Sequence, residues 1–140
     1  MTGPPVTKRE IQLRVADWLK RINALYADVR TTLSDRAGIE CKTPTSVVMD
    51  EELMRQFHVP SIRVPVLDVI KLGATVATFK PVGLWVIGAN GRIDILSERG
   101  AYIVVDAAKF GSPANWKVYL PTNRRQAKAL GHQFIVSLVH

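Results

Sequence analysis

The chain has 140 residues, 47% of them apolar, one cysteine and a formal net charge of +7. A chain of this length forms one domain and hides about two thirds of its unfolded surface, so its core needs neither disulfides nor a structural metal. The lone Cys41 excludes an internal disulfide and a four-thiolate zinc site. No stretch reaches the roughly 18 uninterrupted apolar residues of a membrane-spanning helix.

Residues 1–6 read as a short tail that Pro4-Pro5 keeps extended, and residues 7–140 as a single α+β domain. The tail has no apolar h-region of a secretory signal, so the expected location is cytoplasmic. Thr7 followed by Glu10 is a capping-box pattern. From there Ile11, Val15, Trp18, Ile22, Leu25, Val29 and Leu33 recur in steps of four and three, widened by Leu19 and Tyr26. That spacing predicts a long helix over 8–36, closed by Gly38, with one apolar stripe. Lys8, Arg14, Asp17, Arg21, Asp28 and Arg30 are expected on its solvent side. The stripe suits packing on this protein's own sheet, and its spacing also fits a coiled coil with another chain.

Residues 39–61 carry the weakest pattern. Thr45 or Ser46 is expected to cap a short helix through Asp50–Phe57, with Leu53, Met54 and Phe57 inward and the acids Asp50, Glu51 and Glu52 in its first turn. From residue 62 the period shortens to that of strands. Segments 64–70, 74–79, 84–87, 92–96, 102–105 and 116–120 are β-branched or aromatic and bounded by turn residues, predicting an antiparallel meander of about five or six strands. Pro65 places the first of them at an edge or a bulge.

Asn90-Gly91 is a strong hairpin signal, since a type I′ turn needs positive φ at both positions. A two-residue loop there pairs Ala89 with Arg92, Ile87 with Asp94 and Trp85 with Leu96. Asp94 would then lie among apolar neighbours with Arg92 as its neutralising partner. Ser97–Gly100 reads as a second turn. Thr122 is expected to open a C-terminal helix with Ala127, Leu130, Phe134 and Leu138 on its apolar side, although residues 133–139 also fit a strand.

Candidate chemistry is sparse. His58, His132 and His140 are not spaced with other ligands as a metal site requires, no serine lies in a nucleophile-elbow sequence, and no cofactor is expected. Gly88–Gly91 lacks the lysine-plus-hydroxyl pair of a phosphate loop. One pattern, Asp94 on one strand followed by Asp106 and Lys109 after the next, resembles metal-dependent nucleases of the PD-(D/E)xK type. The resemblance covers residues 91–109 and implies Mg²⁺ held by the two acids beside a phosphate, with the lysine near the attacking water. The sequence departs from that pattern because two residues, not one, separate Asp106 from Lys109. Their side chains then point to opposite faces unless the strand bulges.

Charge placement points elsewhere. Residues 107–140 contain Lys109, Lys117, Arg124, Arg125 and Lys128 and no acid. With Trp116 and Tyr119 as possible stacking surface, they predict a basic binding surface for nucleic acid or an acidic protein. The expected protein is thus a non-enzymatic binding module. A small nuclease, or a subunit docking through its N-terminal helix or a sheet edge, is the alternative.

Overall fold

The computed structural model describes residues 6–86 and 89–140; most of the expected N-terminal tail and Ile87 of the expected hairpin lie outside them. The chain opens with α1 (Lys8–Leu33) and continues through β1 (Ile39–Met49), α2 (Glu52–Gln56), β2 (Ile62–Lys71), β3 (Ala74–Val86) and β4 (Ala89–Ser97). It ends with β5 (Gly100–Asp106), β6 (Trp116–Leu120), β7 (Asn123–Ala129) and α3 (His132–Ser137). All seven strands are antiparallel, and their order in the sheet is their order in the chain.

The helix forms for the reasons its sequence states. Thr7 Oγ1 accepts from Glu10 N at 3.2 Å, and every residue of the expected stripe is buried. Tyr26 is buried with them, and its single hydroxyl hydrogen is shared between the carbonyls of Pro65 at 2.8 Å and Phe79 at 3.2 Å. Those bonds tie α1 to β2 and β3, and the Tyr26 and Phe79 rings meet edge-on, 6.2 Å between centroids. The stripe therefore lies in this chain's own core. Along the sheet, Leu67, Val69, Ala77, Phe79, Ile93, Ile95, Val104 and Val118 form one buried face. Asp68, Thr78, Lys80, Asp94, Leu96, Ile103, Lys117 and Tyr119 alternate with them on the other face, as the two-residue period of a strand requires.

Arg21, expected on the solvent side, is instead buried. It lies one turn from both Trp18 and Leu25, so it borders the stripe.

Three further expectations are corrected. The sheet has seven strands, because residues 39–49 pair with β2 as an edge strand. Pro65 therefore lies in the second strand, opposite Ser46; the adjoining ladder has a bulge between Lys42 and Thr45. The C-terminal segment is not one helix: residues 123–129 pair with β6, and a short helix follows at 132–137. Arg124, Arg125, Gln126, Ala127 and Lys128 suit a helix locally, but the open edge of β6 offers a full ladder of backbone bonds, and tertiary pairing overrides propensity. Phe134 of α3 meets Tyr102 edge-on at 5.1 Å, and Ile135 and Val139 are buried near α1.

The third correction concerns Asn90-Gly91, which lies inside β4. Val86 is opposite Ala89, Trp85 opposite Asn90, Lys80 opposite Asp94 and Thr78 opposite Leu96. Gly91 does have φ +107°, but Asn90 does not share it, so no type I′ turn forms there. The missing side chain serves helix packing: a Cβ on Gly91 would lie 2.2 Å from the Trp18 ring. Among the described residues, the hairpin with two positive φ values is Leu72-Gly73 (φ 50° and 83°), between Lys71 and Ala74. The Ser97–Gly100 turn forms as expected, with Ser97 opposite Gly100.

The short helix of the 50–57 region is present as α2, with Glu52 in its first turn. Glu51 acts across the fold: its carboxylate accepts from the backbone N of Leu84 (3.0 Å) and Trp85 (3.2 Å) on β3.

Candidate functional site

The basic surface is assembled by β6 and β7. Lys117 lies opposite Ala129, Val118 opposite Lys128 and Tyr119 opposite Ala127. Val118 belongs to the buried face, so Lys128 lies on that face at the rim, while Lys117 and Tyr119 lie on the other. Every residue of β7 is exposed, Arg124 and Arg125 included. Among the described residues no ion pair involves Lys109, Lys117, Arg124, Arg125 or Lys128. The structure thus gathers Lys117, Tyr119, Arg124, Arg125 and Lys128 on the last two strands at one sheet edge, with Lys128 on the opposite face from Lys117 and Tyr119. It separates Lys109, which is exposed in the loop after β5, and Trp116, whose ring tilts on Trp18 at 5.9 Å.

The two acids of the nuclease-like pattern do not converge. Asp94 lies opposite Ile103 on the face turned away from α1, and Asp106 is fully buried on the face turned toward it. Arg92 grips Asp94 with Nε at 2.9 Å and Nη2 at 3.2 Å, the pair expected from the sequence. Two carboxylates on opposite faces of one sheet give a divalent ion no shared seat. Among the described residues no group of three or more His, Cys, Asp or Glu side chains is placed to hold a metal.

Asp106 instead centres a buried polar cluster that the sequence pattern did not reveal. Its Oδ1 accepts from the backbone N of Ala108 (3.0 Å) and Asn115 (2.9 Å). Its Oδ2 accepts from Arg21 Nη1 (2.8 Å) and Asn90 Nδ2 (3.4 Å). Arg21 also bonds Asp17 at 2.7 Å and the Ser112 carbonyl. With all its acceptor positions used, Asp106 has none left for a substrate proton or a metal. It is a knot tying α1, β4 and the 107–115 loop.

Arg14 extends the cluster. Its Nη2 donates to Asn90 Oδ1 at 2.9 Å, and its guanidinium lies 5.5 Å from the centre of the Trp85 ring and 5.9 Å from that of Phe110. A cleft of about 420 Å³ opens beside this cluster, lined by Asp17, Lys20, Arg21, Asp28, Ser112 and Trp116. Its only paired charges, Asp17 and Arg21, already satisfy each other. The sequence carries only weak local marks of this cluster, an acid ending an apolar strand and an arginine beside the helix stripe, and neither names its partner.

Two ionisable side chains are shifted by their surroundings. Burial pushes the Tyr26 phenol well above its ordinary range and raises the Cys41 thiol, which is half-buried on β1.

These features define an α+β protein, a seven-stranded antiparallel meander packed on one long helix, with a basic rim formed by its last two strands. No helix among the described residues is long and apolar enough to cross a membrane. Compared with protein-family models, with curated proteins and with solved structures, the chain matches none.

Proposed function

We propose that this chain is a non-enzymatic binding module whose basic β6–β7 surface contacts a polyanionic partner, nucleic acid or acidic protein. The observation that supports the reading is the placement of half-buried Lys117 and exposed Arg124, Arg125 and Lys128 on two adjacent strands without a carboxylate among them. Four cations with no ion-pair partner among the described residues contribute nothing by pairing to this fold, and like charges on neighbouring strands repel one another. A ligand carrying several negative charges relieves that repulsion and releases its own counterions on binding.

The test is fluorescence anisotropy with single- and double-stranded 20-nucleotide probes and an acidic protein, across a salt series. If four phosphates of a duplex are neutralised, affinity should fall about 100-fold between 50 and 200 mM salt. Replacing Arg124, Arg125 and Lys128 by glutamate should abolish binding. Unchanged binding by that variant overturns the proposal.

Docking into a larger assembly is a second reading, favoured in its sheet-edge form because β7 has one strand neighbour among the described residues. The helix-docking form loses its surface, since the α1 stripe is already buried within the chain.

A further inference from the structure

The two edges of the sheet are built differently. At one end, Pro44 on β1 falls where the β1–β2 ladder shifts register, between Lys42 and Thr45. A proline and a bulge are two devices that stop an edge from accepting another strand. At the other end β7, Asn123–Ala129, contains no proline, and every residue in it is exposed.

The hydrogen-bond phase of β7 shows which groups it offers. Leu130 N donates to Trp116 O at 3.1 Å, and Lys128 is opposite Val118. In an antiparallel ladder, bonded and non-bonded positions alternate, so Lys128 and Leu130 turn their N–H and C=O toward β6. Ala127 and Ala129 therefore turn theirs outward. The side chains at those two positions are methyl groups, so a second backbone can approach closely. Arg124, Arg125 and Lys128 flank them with positive charge.

We propose that the free edge of β7 takes an extended acidic segment of another protein as an eighth, hydrogen-bonded strand; this rests on the reading of β6–β7 as a basic binding surface. Backbone bonds at Ala127 and Ala129 supply the register, and carboxylates spaced two residues apart on the incoming strand form a row on one face, where they meet the cations of that face, such as Lys128. The same cations repel a second copy of β7, so the edge is closed to its own kind and open to an acidic strand. A nucleic acid answers the charge but has no means of continuing a peptide ladder.

The decisive probe is a capped twelve-residue peptide alternating glutamate with valine and threonine. It is compared with a version N-methylated at every backbone amide and with a single-stranded dT 20-mer. Binding is followed by anisotropy at 50 mM salt, and amide hydrogen exchange is followed by NMR on the full chain. The unmodified peptide should bind and slow exchange at Ala127 and Ala129 at least tenfold. N-methylation should weaken it at least tenfold, and so should Ala127→Pro, which removes an outward N–H and no bond to β6. The N-methylated peptide needs no folded variant, so a misfolded Ala127→Pro leaves the test intact.

Equal affinity for the two peptides, no slowing at Ala127 and Ala129, or no peptide binding each overturns strand addition. If the dT probe still binds and the glutamate triple variant loses it, the basic-surface reading stands without the strand. If neither probe binds, both fall.

Discussion

Asp106→Asn is nearly isosteric, and the geometry of the buried cluster gives its cost. The wild-type carboxylate accepts four N–H groups, two on each oxygen, at a site with no solvent exposure. An amide there has one acceptor and one donor end. If the oxygen stays toward Ala108 and Asn115, the NH₂ group confronts the donors of Arg21 and Asn90. If it flips, it confronts two backbone N–H groups. Arg21, whose side chain is 9% exposed, meanwhile loses one of its two carboxylate partners. Breaking a buried pair from one side costs about 3–5 kcal/mol. That is a large share of the ~5–15 kcal/mol by which such domains are stable. With a urea slope of about 2 kcal/mol/M, the midpoint should fall by roughly 2 M. The assay is urea unfolding followed by circular dichroism and tryptophan fluorescence, with Asp94→Asn as the comparison. The Arg92–Asp94 pair is partly exposed, 36% and 23% by side chain, so its loss should cost no more than about 1 kcal/mol. Equal effects at the two aspartates, or a loss below about 1 kcal/mol at Asp106, would refute the reasoning.

Gly91→Ala should cost about 3 kcal/mol and change the tryptophan near-UV signal, because its Cβ would meet the buried Trp18 ring. Gly73→Ala, at a similar φ with nothing within 4 Å, should cost only about 1 kcal/mol; equal costs would show that packing on Trp18 is not the cause. Leu72→Asn should raise Tm by a few degrees, roughly 1 kcal/mol, because a branched residue 82% exposed at φ 50° gives way to one that tolerates that conformation. A scanning-calorimetry midpoint that falls would count against it. Tyr26 has its phenol pKa raised by burial above the unfolded value near 10, so its contribution is complete below about pH 10 and is lost as pH climbs toward the folded value. An alkaline absorbance titration should show Tyr26 ionising only on unfolding, with Tyr26→Phe as the control; free titration near pH 10 would contradict its burial.

Sequence patterns revealed the general positions of α1 and α2, the strand-rich centre and the whole buried stripe of α1, because apolar spacing marks each of them. β1 was hidden because Thr43-Pro44-Thr45-Ser46 resembles a loop; only its pairing with β2 makes residues 39–49 a strand. The strand β7 was hidden because its residues suit a helix and its partner lies beyond a Pro121-Thr122 turn. Asn90-Gly91 misled for a more specific reason. Asn-Gly reports a need for positive φ, and here Gly91 meets that need beneath a tryptophan from a helix more than seventy positions earlier. The cations of β6 and β7 were legible as charge, whereas Arg21–Asp106 was not, since nothing local announces that residues 85 apart will meet.

A meander whose neighbours in space are its neighbours in sequence has a consequence for the order in which it forms. Each strand needs only the one just made, so the sheet can grow by successive hairpins, each closing a short loop at little entropic cost. The helix reverses this economy. It is synthesised before the sheet, yet its apolar side has no cover until β3 and β4 exist, and Arg21 waits for Asp106 at the end of β5. During synthesis the apolar side of α1 thus stays uncovered until about residue 97, and the Arg21–Asp106 contact forms later still. Substitutions at that pair should accelerate unfolding and leave the refolding rate almost unchanged.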